Sequence, residues 1–309
     1  LKRRYHVVED DSDFDYLVAT PWFYVNREAF YDFLERAPGH ITVMYGCHEA
    51  IAPDFMLFDY YIGLDTVPGS DRTVKLPYLR HHLEEVHGGK EGLDAHALLA
   101  SKTGFCNFIY ANRKSHPNRD SMFHKLSAFR FVNSLGPHLN NTPGDGHRAE
   151  DWYASSIRMK KPYKFSIAFE NAWYPGYTSE KIVTSMLAGT IPIYWGNPDI
   201  SREFNSASFI NCHDFPTLDD AAAYVKKVDE DDNLWCEIMS RPWKTPEQEA
   251  RFLEETERET AKLYKIFDQS PEEARRKGDG TWVSYYHRFL KRGHRMQLAW
   301  RRLKNRLRR

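Results

Sequence analysis

The chain has 309 residues, of which 41% are hydrophobic and 15% aromatic, so it can bury a sizeable core and is long enough for two domains. Its 43 basic and 43 acidic residues balance, but residues 285–309 hold ten basic and no acidic side chains, so a mildly acidic body carries a basic tail. Four cysteines without a C-x-x-C pair argue against a disulfide framework or a zinc site and indicate a reducing cytoplasm, and the lack of an apolar run of about 18 residues excludes a spanning helix.

The first third of the chain alternates predicted strands and helices. Apolar runs and helical spacing predict strands at residues 16–20, 40–45 and 58–63 and a helix at residues 27–36. Residues 5–8 are strand-like and come almost at once, which indicates that the sequence begins inside a domain and that an earlier element is missing. Residues 80–100 are polar and contain glycines, so they are predicted to form a helix and a connector to the second half.

The second half also alternates strands and helices. Strands are predicted at residues 105–110, 165–169, 191–195 and 208–211, and helices at residues 119–131, 179–188, from 217 onward and at 247–267. Residues 140–147 form a turn-rich loop between the first helix and the second strand of this half. Alternation in both halves predicts an α/β fold with two doubly wound domains and a cleft between them.

The strongest chemical signal lies between residues 169 and 196. A predicted strand ends at Phe169, and a helix begins after a short loop. The carboxyl ends of strands in open α/β sheets bind ligands, and a helix N-terminus attracts anions such as a diphosphate. Lys181 opposes the helix dipole at a cost of roughly a few tenths of a kcal/mol unless an anion lies nearby, and Glu180 has the chemistry to bind a ribose diol. Both residues are equally well explained as surface charges of a first helical turn.

The residues of this segment resemble a known family. Phe-Glu-Asn at 169–171, Tyr-Thr-Ser-Glu-Lys at 177–181 and Gly-Thr-Ile-Pro-Ile-Tyr-Trp-Gly at 189–196 resemble the signature of the α-1,3/4-fucosyltransferases, especially the bacterial ones. The segments at residues 55–63, 105–123 and 208–215 resemble the same family, so the resemblance extends over about residues 15–267.

This resemblance implies a GT-B fold, in which two Rossmann-like domains face each other across a cleft. Residues 1–100 would form the N-terminal acceptor-binding domain, with a truncated start, and residues 101–284 the C-terminal domain that binds the GDP-sugar. Residues 285–309 would form a basic amphipathic tail. The implied reaction is inverting transfer of L-fucose from GDP-β-L-fucose to a hydroxyl of an acceptor oligosaccharide or glycolipid, in α-1,3 or α-1,4 linkage to a GlcNAc-type sugar.

The resemblance also assigns roles to individual residues. Arg119 matches the arginine that binds the donor diphosphate, a role that suits bidentate guanidinium–phosphate bonding, and Lys181 matches a second cation on the phosphate side. Glu180 matches the ribose-binding carboxylate, and Asn171 and Tyr177 match positions that line the donor pocket. Glu170, which precedes Asn171, is expected to orient the loop. No cofactor is required, and a divalent cation is expected at most to stimulate the reaction.

The general base is where the sequence departs from the family pattern. Inverting transfer needs a group that removes the proton of the attacking hydroxyl. The family has a glutamate directly after a glycine at the end of an N-domain strand, but here Cys47 follows Gly46. A shift of one or two residues brings His48 or Glu49 to this place, and we predict Glu49 as the base with His48 as the alternative.

Two further features have more than one interpretation. The histidines and glutamates at positions 81–87 match no zinc-site spacing and indicate a solvated helix face. The tail contains Leu, Met and Trp residues among basic ones, as in helices that bind anionic membrane surfaces, so we predict a cytoplasmic protein that associates peripherally with the inner membrane. A poorly ordered solubilising tail is the alternative, and nucleic-acid binding lacks a supporting module. Use of another GDP-deoxyhexose, or donor binding without catalysis, also remains open.

Overall fold

The computed structural model describes residues 4–8, 13–47, 49–67, 69–76, 92–143, 151–278 and 280–307. Several predicted segments lie outside these ranges: residues 88–91 of the glycine-rich connector predicted at 88–92, the histidine-rich positions 81–87, residues 144–147 of the loop predicted at 140–147, and His48.

The chain divides into two compact units. The first comprises Leu1–Leu76 with Arg258–Arg309, and the second comprises Pro77–Glu257. The sequence predicts domain boundaries at residues 100 and 284 and a separate tail at the end of the chain. The structure instead returns the chain to the first unit at Arg258, because Ile266 packs into the core of that unit and Glu259 accepts a hydrogen bond from the backbone amide of Lys75.

Nine strands and eleven α-helices are described. The strands are β1 (Tyr16–Ala19), β2 (Ile41–Tyr45), β3 (Tyr60–Gly63), β4 (Thr73–Lys75), β5 (Gly104–Phe108), β6 (Val132–Ser134), β7 (Tyr163–Phe169), β8 (Ile191–Trp195) and β9 (Ile210–Asn211). The helices are α1 (Trp22–Val25), α2 (Arg27–Arg36), α3 (Ala95–Ala100), α4 (Asn118–Phe129), α5 (Trp152–Lys160), α6 (Glu180–Leu187), α7 (Leu218–Glu230), α8 (Asp232–Ser240), α9 (Pro246–Phe267), α10 (Pro271–Ala274) and α11 (Thr281–Leu307).

The first unit is built on a parallel sheet with strand order β1-β2-β3-β4. Its central strands are apolar on both faces, as a sheet covered on both sides requires. On one face, Met44 packs with Phe33 and Leu34 of α2. On the other face, Val43 packs with Ile266 of α9. The end of α9, which lies far from this sheet in sequence, is therefore part of the layer on that face.

The second unit is a parallel sheet with strand order β6-β5-β7-β8-β9. One face carries α4, α7 and α8, whose buried side chains include the fully enclosed Trp235. The other face carries α6 through Ile182, Val183 and Met186. The strand order reverses between β5 and β7, so the chain leaves β5 in one direction and β7 in the other. The carboxyl ends of these two strands form the switch point where such sheets bind ligands.

The predicted fold of two parallel α/β units with a helical C-terminal part is confirmed, and most long elements lie within a few residues of their predicted bounds. The sequence pattern does not predict the strands β4 and β6, which have three residues each, or the helices α1, α5, α8 and α10. It also gave residues 5–8 strand character, whereas these residues form no strand. Tyr5 instead donates a hydrogen bond from its hydroxyl to Asp268 (2.7 Å) and packs against Phe267.

Candidate active site

The predicted donor-site residues of the second unit gather at the carboxyl ends of β5 and β7. Arg119 is the second residue of α4, which follows β5, and Asn171 lies two residues beyond β7. The backbone of the two loops is joined where the His116 amide donates to the Asn171 carbonyl (2.8 Å). The structure therefore brings residues that are 52 positions apart in sequence to one edge of the sheet.

Arg119 is fully buried at this edge. Its guanidinium donates to the Asn171 side-chain oxygen (3.2 Å) and to the carbonyl of Asn112, and it lies over the ring of Tyr110 (4.2 Å to the centroid). Its Nε atom has no hydrogen-bond acceptor and lies 3.8 Å from an oxygen of Asp120. Burial lowers the pKa of Arg119, while the neighbouring phenols and Asp120 oppose this effect, so the group stays a cation.

Asn171 and Tyr177 extend this arrangement from Arg119 toward α6. The Asn171 amide nitrogen lies 3.5 Å from the Tyr177 hydroxyl, at the long limit of a hydrogen bond. Tyr177 is buried, and its carbonyl accepts a hydrogen bond from the hydroxyl of Tyr194 (3.3 Å). The three residues Arg119, Asn171 and Tyr177 thus form one connected set of polar side chains.

Glu170 holds the start of α6. Its carboxylate accepts hydrogen bonds from the Ser179 amide (2.8 Å), from the Ser179 hydroxyl and from the Lys181 ammonium (3.0 Å). Ser179 is the N-cap residue of α6. The backbone of Gly196, with φ +151°, approaches Glu170 so closely that a Cβ atom there would lie 2.5 Å from the Glu170 side chain. The glycine that ends the sequence motif therefore makes room for this buried carboxylate.

Lys181 occupies the first turn of α6 between two carboxylates. Its ammonium lies 3.0 Å from Glu170 and 3.6 Å from Glu180. Burial works against its charge, but these two carboxylates raise the pKa of Lys181 well above its usual value, and the attraction of Lys181 lowers the pKa of Glu180 despite burial. The anions that offset the unfavourable position of Lys181 at a helix N-terminus are thus supplied by the protein.

Tyr110 lies within electrostatic reach of both cations. Burial raises its pKa, whereas the positive charges of Arg119 and Lys181 lower it. Its hydroxyl accepts a hydrogen bond from the Phe169 amide (2.7 Å), which ties it to the end of β7. The two predicted phosphate-binding cations therefore act electrostatically on the same buried phenol.

Glu49, the predicted base, lies in the first unit in a turn that follows β2. Its backbone amide donates to the Gly46 carbonyl (2.9 Å), and Cys47 takes the left-handed conformation, with φ +48°, within this turn. The hydroxyl of Tyr61 donates to the Ile51 carbonyl (2.9 Å) and so holds the far side of the same loop. Glu49 is half-buried.

The Tyr61 ring occupies a slot formed by two glycines. A Cβ atom on Gly63 would lie 2.3 Å from the Tyr61 hydroxyl oxygen, and one on Gly46 would lie 2.9 Å from it. Tyr61 is itself fully buried, so its ring has a single place in the unit. The position of the loop that bears Glu49 thus depends on the packing of this ring.

Lys160, the last residue of α5, is a buried residue next to the site that the sequence does not predict. Its side chain is 5% exposed, and its ammonium donates to the hydroxyls of Thr184 (2.6 Å) and Ser185 (3.3 Å) in α6. In the sequence it is one of several lysines near a helix end, where such residues are normally solvated. Only its burial against the donor-site helix distinguishes it, and no sequence pattern reports that burial.

A group of aromatic and imidazole rings next to the site was also not predicted from the sequence. Trp195, at the end of β8, lies between the rings of His116 (4.4 Å) and His213 (5.9 Å). The Nε2 atom of His213 accepts a hydrogen bond from the Gly196 amide (3.1 Å), and burial lowers the pKa of His213. These rings line the edge of the sheet next to Glu170 and are spread over three separate segments of sequence.

The described residues contain no group of three or more His, Cys, Asp or Glu side chains arranged to hold a metal ion. In the part of the chain with described coordinates, no helix combines the length and apolar character needed to cross a membrane.

The region of the chain that contains these site residues is similar to known proteins. The model of the family described as glycosyltransferase family 10 (fucosyltransferase), C-terminal part, matches residues 99–275. An α-(1,3)-fucosyltransferase of Helicobacter pylori is 29% identical over 238 residues, which are 67% of this chain and 48% of that protein. An α-(1,4)-fucosyltransferase of Arabidopsis thaliana is 26% identical over 227 residues, which are 61% of this chain and 55% of that protein.

The fold of this chain is also similar to that of a solved fucosyltransferase structure. The crystal structure of an α1,3-fucosyltransferase with GDP aligns with a TM-score of 0.61 and 26% identity, covering 79% of this chain and 75% of that one. This chain spans about half the length of the two curated relatives.

Proposed function

Because the chain belongs to glycosyltransferase family 10, the fucosyltransferases, we propose that it transfers L-fucose from GDP-β-L-fucose to a hydroxyl of an acceptor glycan, with inversion at the anomeric carbon. The observation that carries this proposal is a chain of contacts at the switch point of the second sheet. Arg119 lies over Tyr110, Tyr110 is hydrogen-bonded to the Phe169 amide, and Lys181 pairs with the next residue, Glu170. Two cations at such an edge suit a diphosphate, the part of the donor that gains negative charge as the sugar leaves.

In this proposal the second unit holds the donor. Arg119 and Lys181 bind the diphosphate, Glu180 binds the ribose hydroxyls, and Asn171 and Tyr177 line the pocket. Arg119 donates to Asn171 and Asn112 in the structure and is fully enclosed, so contact with a phosphate requires the loop at residues 111–117 to move away from it. The free Nε donor on this buried guanidinium supports the role, because a phosphate oxygen would satisfy it.

The proposed general base is Glu49, which takes the proton of the acceptor hydroxyl as that oxygen attacks the anomeric carbon. Its place in a turn directly after a central strand of the first unit supports the role, because such turns present side chains at the ligand-binding edge of a parallel sheet. His48 is the alternative. In this proposal Arg119 and Lys181 bind the leaving diphosphate, and the reaction needs no metal ion.

The acceptor follows from the family alone. The relatives described above are named for α-1,3 and α-1,4 linkages. We propose a GlcNAc-type sugar of a surface polysaccharide or glycolipid as the acceptor, in one of these two linkages.

The test is a transfer assay with the full chain, GDP-fucose and a panel of GlcNAc-containing acceptors. We expect one acceptor to gain the mass of one deoxyhexose residue, which is the sugar less one water. We expect EDTA to leave the rate within about twofold, because fixed cations rather than a metal stabilise the leaving group. Transfer from another GDP-deoxyhexose in preference to GDP-fucose would contradict the proposed donor. GDP binding without transfer to any acceptor would identify a catalytically impaired homologue, and loss of the activity in EDTA would contradict the metal-independent mechanism.

We also propose that α11 binds the surface of an anionic membrane, on the cytoplasmic side where the four free cysteines would remain reduced. Among the side chains of this helix that the structure describes, six large apolar ones are exposed: Trp282, Tyr285, Phe289, Met296, Trp300 and Leu303. They are spaced three, four or seven residues apart, so they form one narrow stripe along the helix. Exposed basic residues flank the stripe, which matches an anionic headgroup layer in charge.

The membrane proposal predicts that the chain floats with liposomes that contain anionic lipid. Replacing Phe289 and Trp300 together by serine should reduce flotation about tenfold or more, because both side chains are exposed apolar groups of the stripe. These two positions are preferable to truncation because Tyr286 and Leu290 pack into the core of the first unit. Unchanged flotation of the double variant, or equal flotation with neutral liposomes, would contradict the proposal.

A further inference from the structure

Lys160 is a buried cation whose direct partners are neutral. Its ammonium donates to the hydroxyls of Thr184 and Ser185. Those hydroxyls in turn donate to the first turn of α6, from Thr184 to the Glu180 carbonyl (2.9 Å) and from Ser185 to the Lys181 carbonyl (2.7 Å). Each hydroxyl therefore accepts from Lys160 and donates to the backbone that bears the two charged residues of the donor site.

The charges at the start of α6 do not suit an anionic ligand by themselves. Glu170 and Glu180 carry two negative charges when ionised, and Lys181, which lies between them, carries one positive charge. A diphosphate at this helix start would meet a net negative group. Lys160 is within electrostatic reach of all three residues, and its positive charge brings the group to neutrality. Arg119, whose guanidinium lies 3.8 Å from Asp120, is the remaining cation of the site.

Burial lowers the pKa of Lys160 to about 7, against the opposing attraction of Glu180 and Glu170. The cost of burying an ammonium on neutral partners is therefore large enough to bring its titration into the physiological range. An anion bound at the helix start would favour the charged form, because it would add an attraction that the free protein lacks.

We propose that Lys160 is a positioning residue for the donor diphosphate: it holds the first turn of α6 through Thr184 and Ser185, and its charge offsets one of the two carboxylates at the start of that helix. The inference rests on the proposed function, since the diphosphate is that of the proposed donor. Its direct consequence is that GDP binding is coupled to protonation of Lys160, so that affinity falls as the pH rises above neutrality.

The other ionisable groups at the site can be distinguished from Lys160, either by their pKa values or by comparison with a variant that lacks Lys160. The groups that face Lys160 are Glu180 and Lys181 of α6 and Glu170 at the end of β7. The pKa of Glu180 is lowered and that of Lys181 is raised well above its usual value, so both stay charged near neutrality. The pKa of Glu170 is raised by burial, and GDP has its own phosphate titration. Both of these remain in a variant that lacks Lys160, so the comparison isolates the lysine.

The experiment measures the Kd of GDP by calorimetry between pH 6 and 9 for the full chain and three variants. Lys160→Met should bind GDP about tenfold more weakly than the wild type at pH 6, and the difference should vanish toward pH 9 as the wild-type lysine loses its proton. Lys160→Arg should keep the tight binding up to pH 9, because a guanidinium does not deprotonate in this range. The exposed neighbour provides the matched control, Lys161→Met, which should follow the wild type at every pH.

Thermal unfolding of the same variants checks that they fold. The pKa of Lys160 is lowered from 10.5 in the unfolded chain to about 7, so the unfolded state holds more protons between these values and wild-type stability should rise with pH there. Lys160→Met should lack this rise. If Lys160→Met does not fold, the test depends on Lys160→Arg. If the GDP affinity of Lys160→Arg falls with pH as steeply as that of the wild type, the inference is overturned.

Two results separate the inference from the proposed function. Identical Kd values and pH profiles for the wild type and Lys160→Met overturn the role of Lys160 and leave fucosyl transfer standing. Failure of the folded wild-type chain to bind GDP at any pH overturns the donor site itself.

Discussion

Replacing Arg119 by lysine is expected to lower kcat/KM for fucosyl transfer by about 100-fold, even though the positive charge is kept. The guanidinium donates in two directions at once, to the Asn171 side chain and to the Asn112 carbonyl, and carries a further free N–H. A lysine ammonium is a point charge that cannot reproduce this planar set of donors. The measurement is steady-state transfer, together with the Kd of GDP.

A matched control for this substitution is available at the other end of the same helix. Arg130 follows α4 and pairs with Asp229 (2.7 Å), away from the strand ends that form the site. Arg130→Lys makes the same chemical change and should keep kcat/KM within about twofold. Wild-type kinetics and GDP affinity in Arg119→Lys, with normal thermal unfolding, would remove Arg119 from the proposed donor site.

Replacing Glu49 by glutamine is expected to lower kcat by a factor of about 10² to 10⁴ while GDP still binds with wild-type affinity. The amide has nearly the same shape as the carboxylate but cannot accept the proton of the acceptor hydroxyl. The measurements are the rate of transfer and, separately, GDP binding by calorimetry. Together they distinguish loss of a base from loss of the donor site.

The control and the competing assignment use two further variants. Glu35→Gln alters another carboxylate of the first unit, one that pairs with Lys291 (2.8 Å), and should leave transfer unchanged within about twofold. Full activity in Glu49→Gln with a large loss in His48→Gln would transfer the role of base to His48. Full activity in both variants would exclude this turn as the source of the base.

Much of the second unit could be predicted from local sequence. Thr217 caps the start of α7, and Gly189, with φ +64°, takes the left-handed conformation just after the end of α6. Helix starts and ends of this kind can be predicted because they depend on residues close to the helix ends. The motif at residues 169–196 predicted a ligand-binding edge for the same reason. Strand, loop and helix start follow one another in the chain, so their spatial relation is short-range.

Long-range packing explains what could not be predicted. The apolar stripe of α9 shows that one face is buried, but it does not show that this face covers the first sheet through Ile266. The basic pattern of the last residues predicted an amphipathic helix, while Tyr286 and Leu290 anchor its start in the first unit. The burial of Lys160 depends on the packing of α5 against α6, and no residue near Lys160 in the sequence reports that contact.

The pair of glycines around Tyr61 gives the first unit an unusual sensitivity. Glycine inside a buried strand normally weakens it, yet Gly63 ends β3 and faces an aromatic ring that has no alternative space. A single added methyl group there would displace the ring, and with it the hydrogen bond that fastens the Ile51 carbonyl. A change in the interior of the sheet, with no ligand nearby, would thereby be transmitted to the turn that carries Glu49.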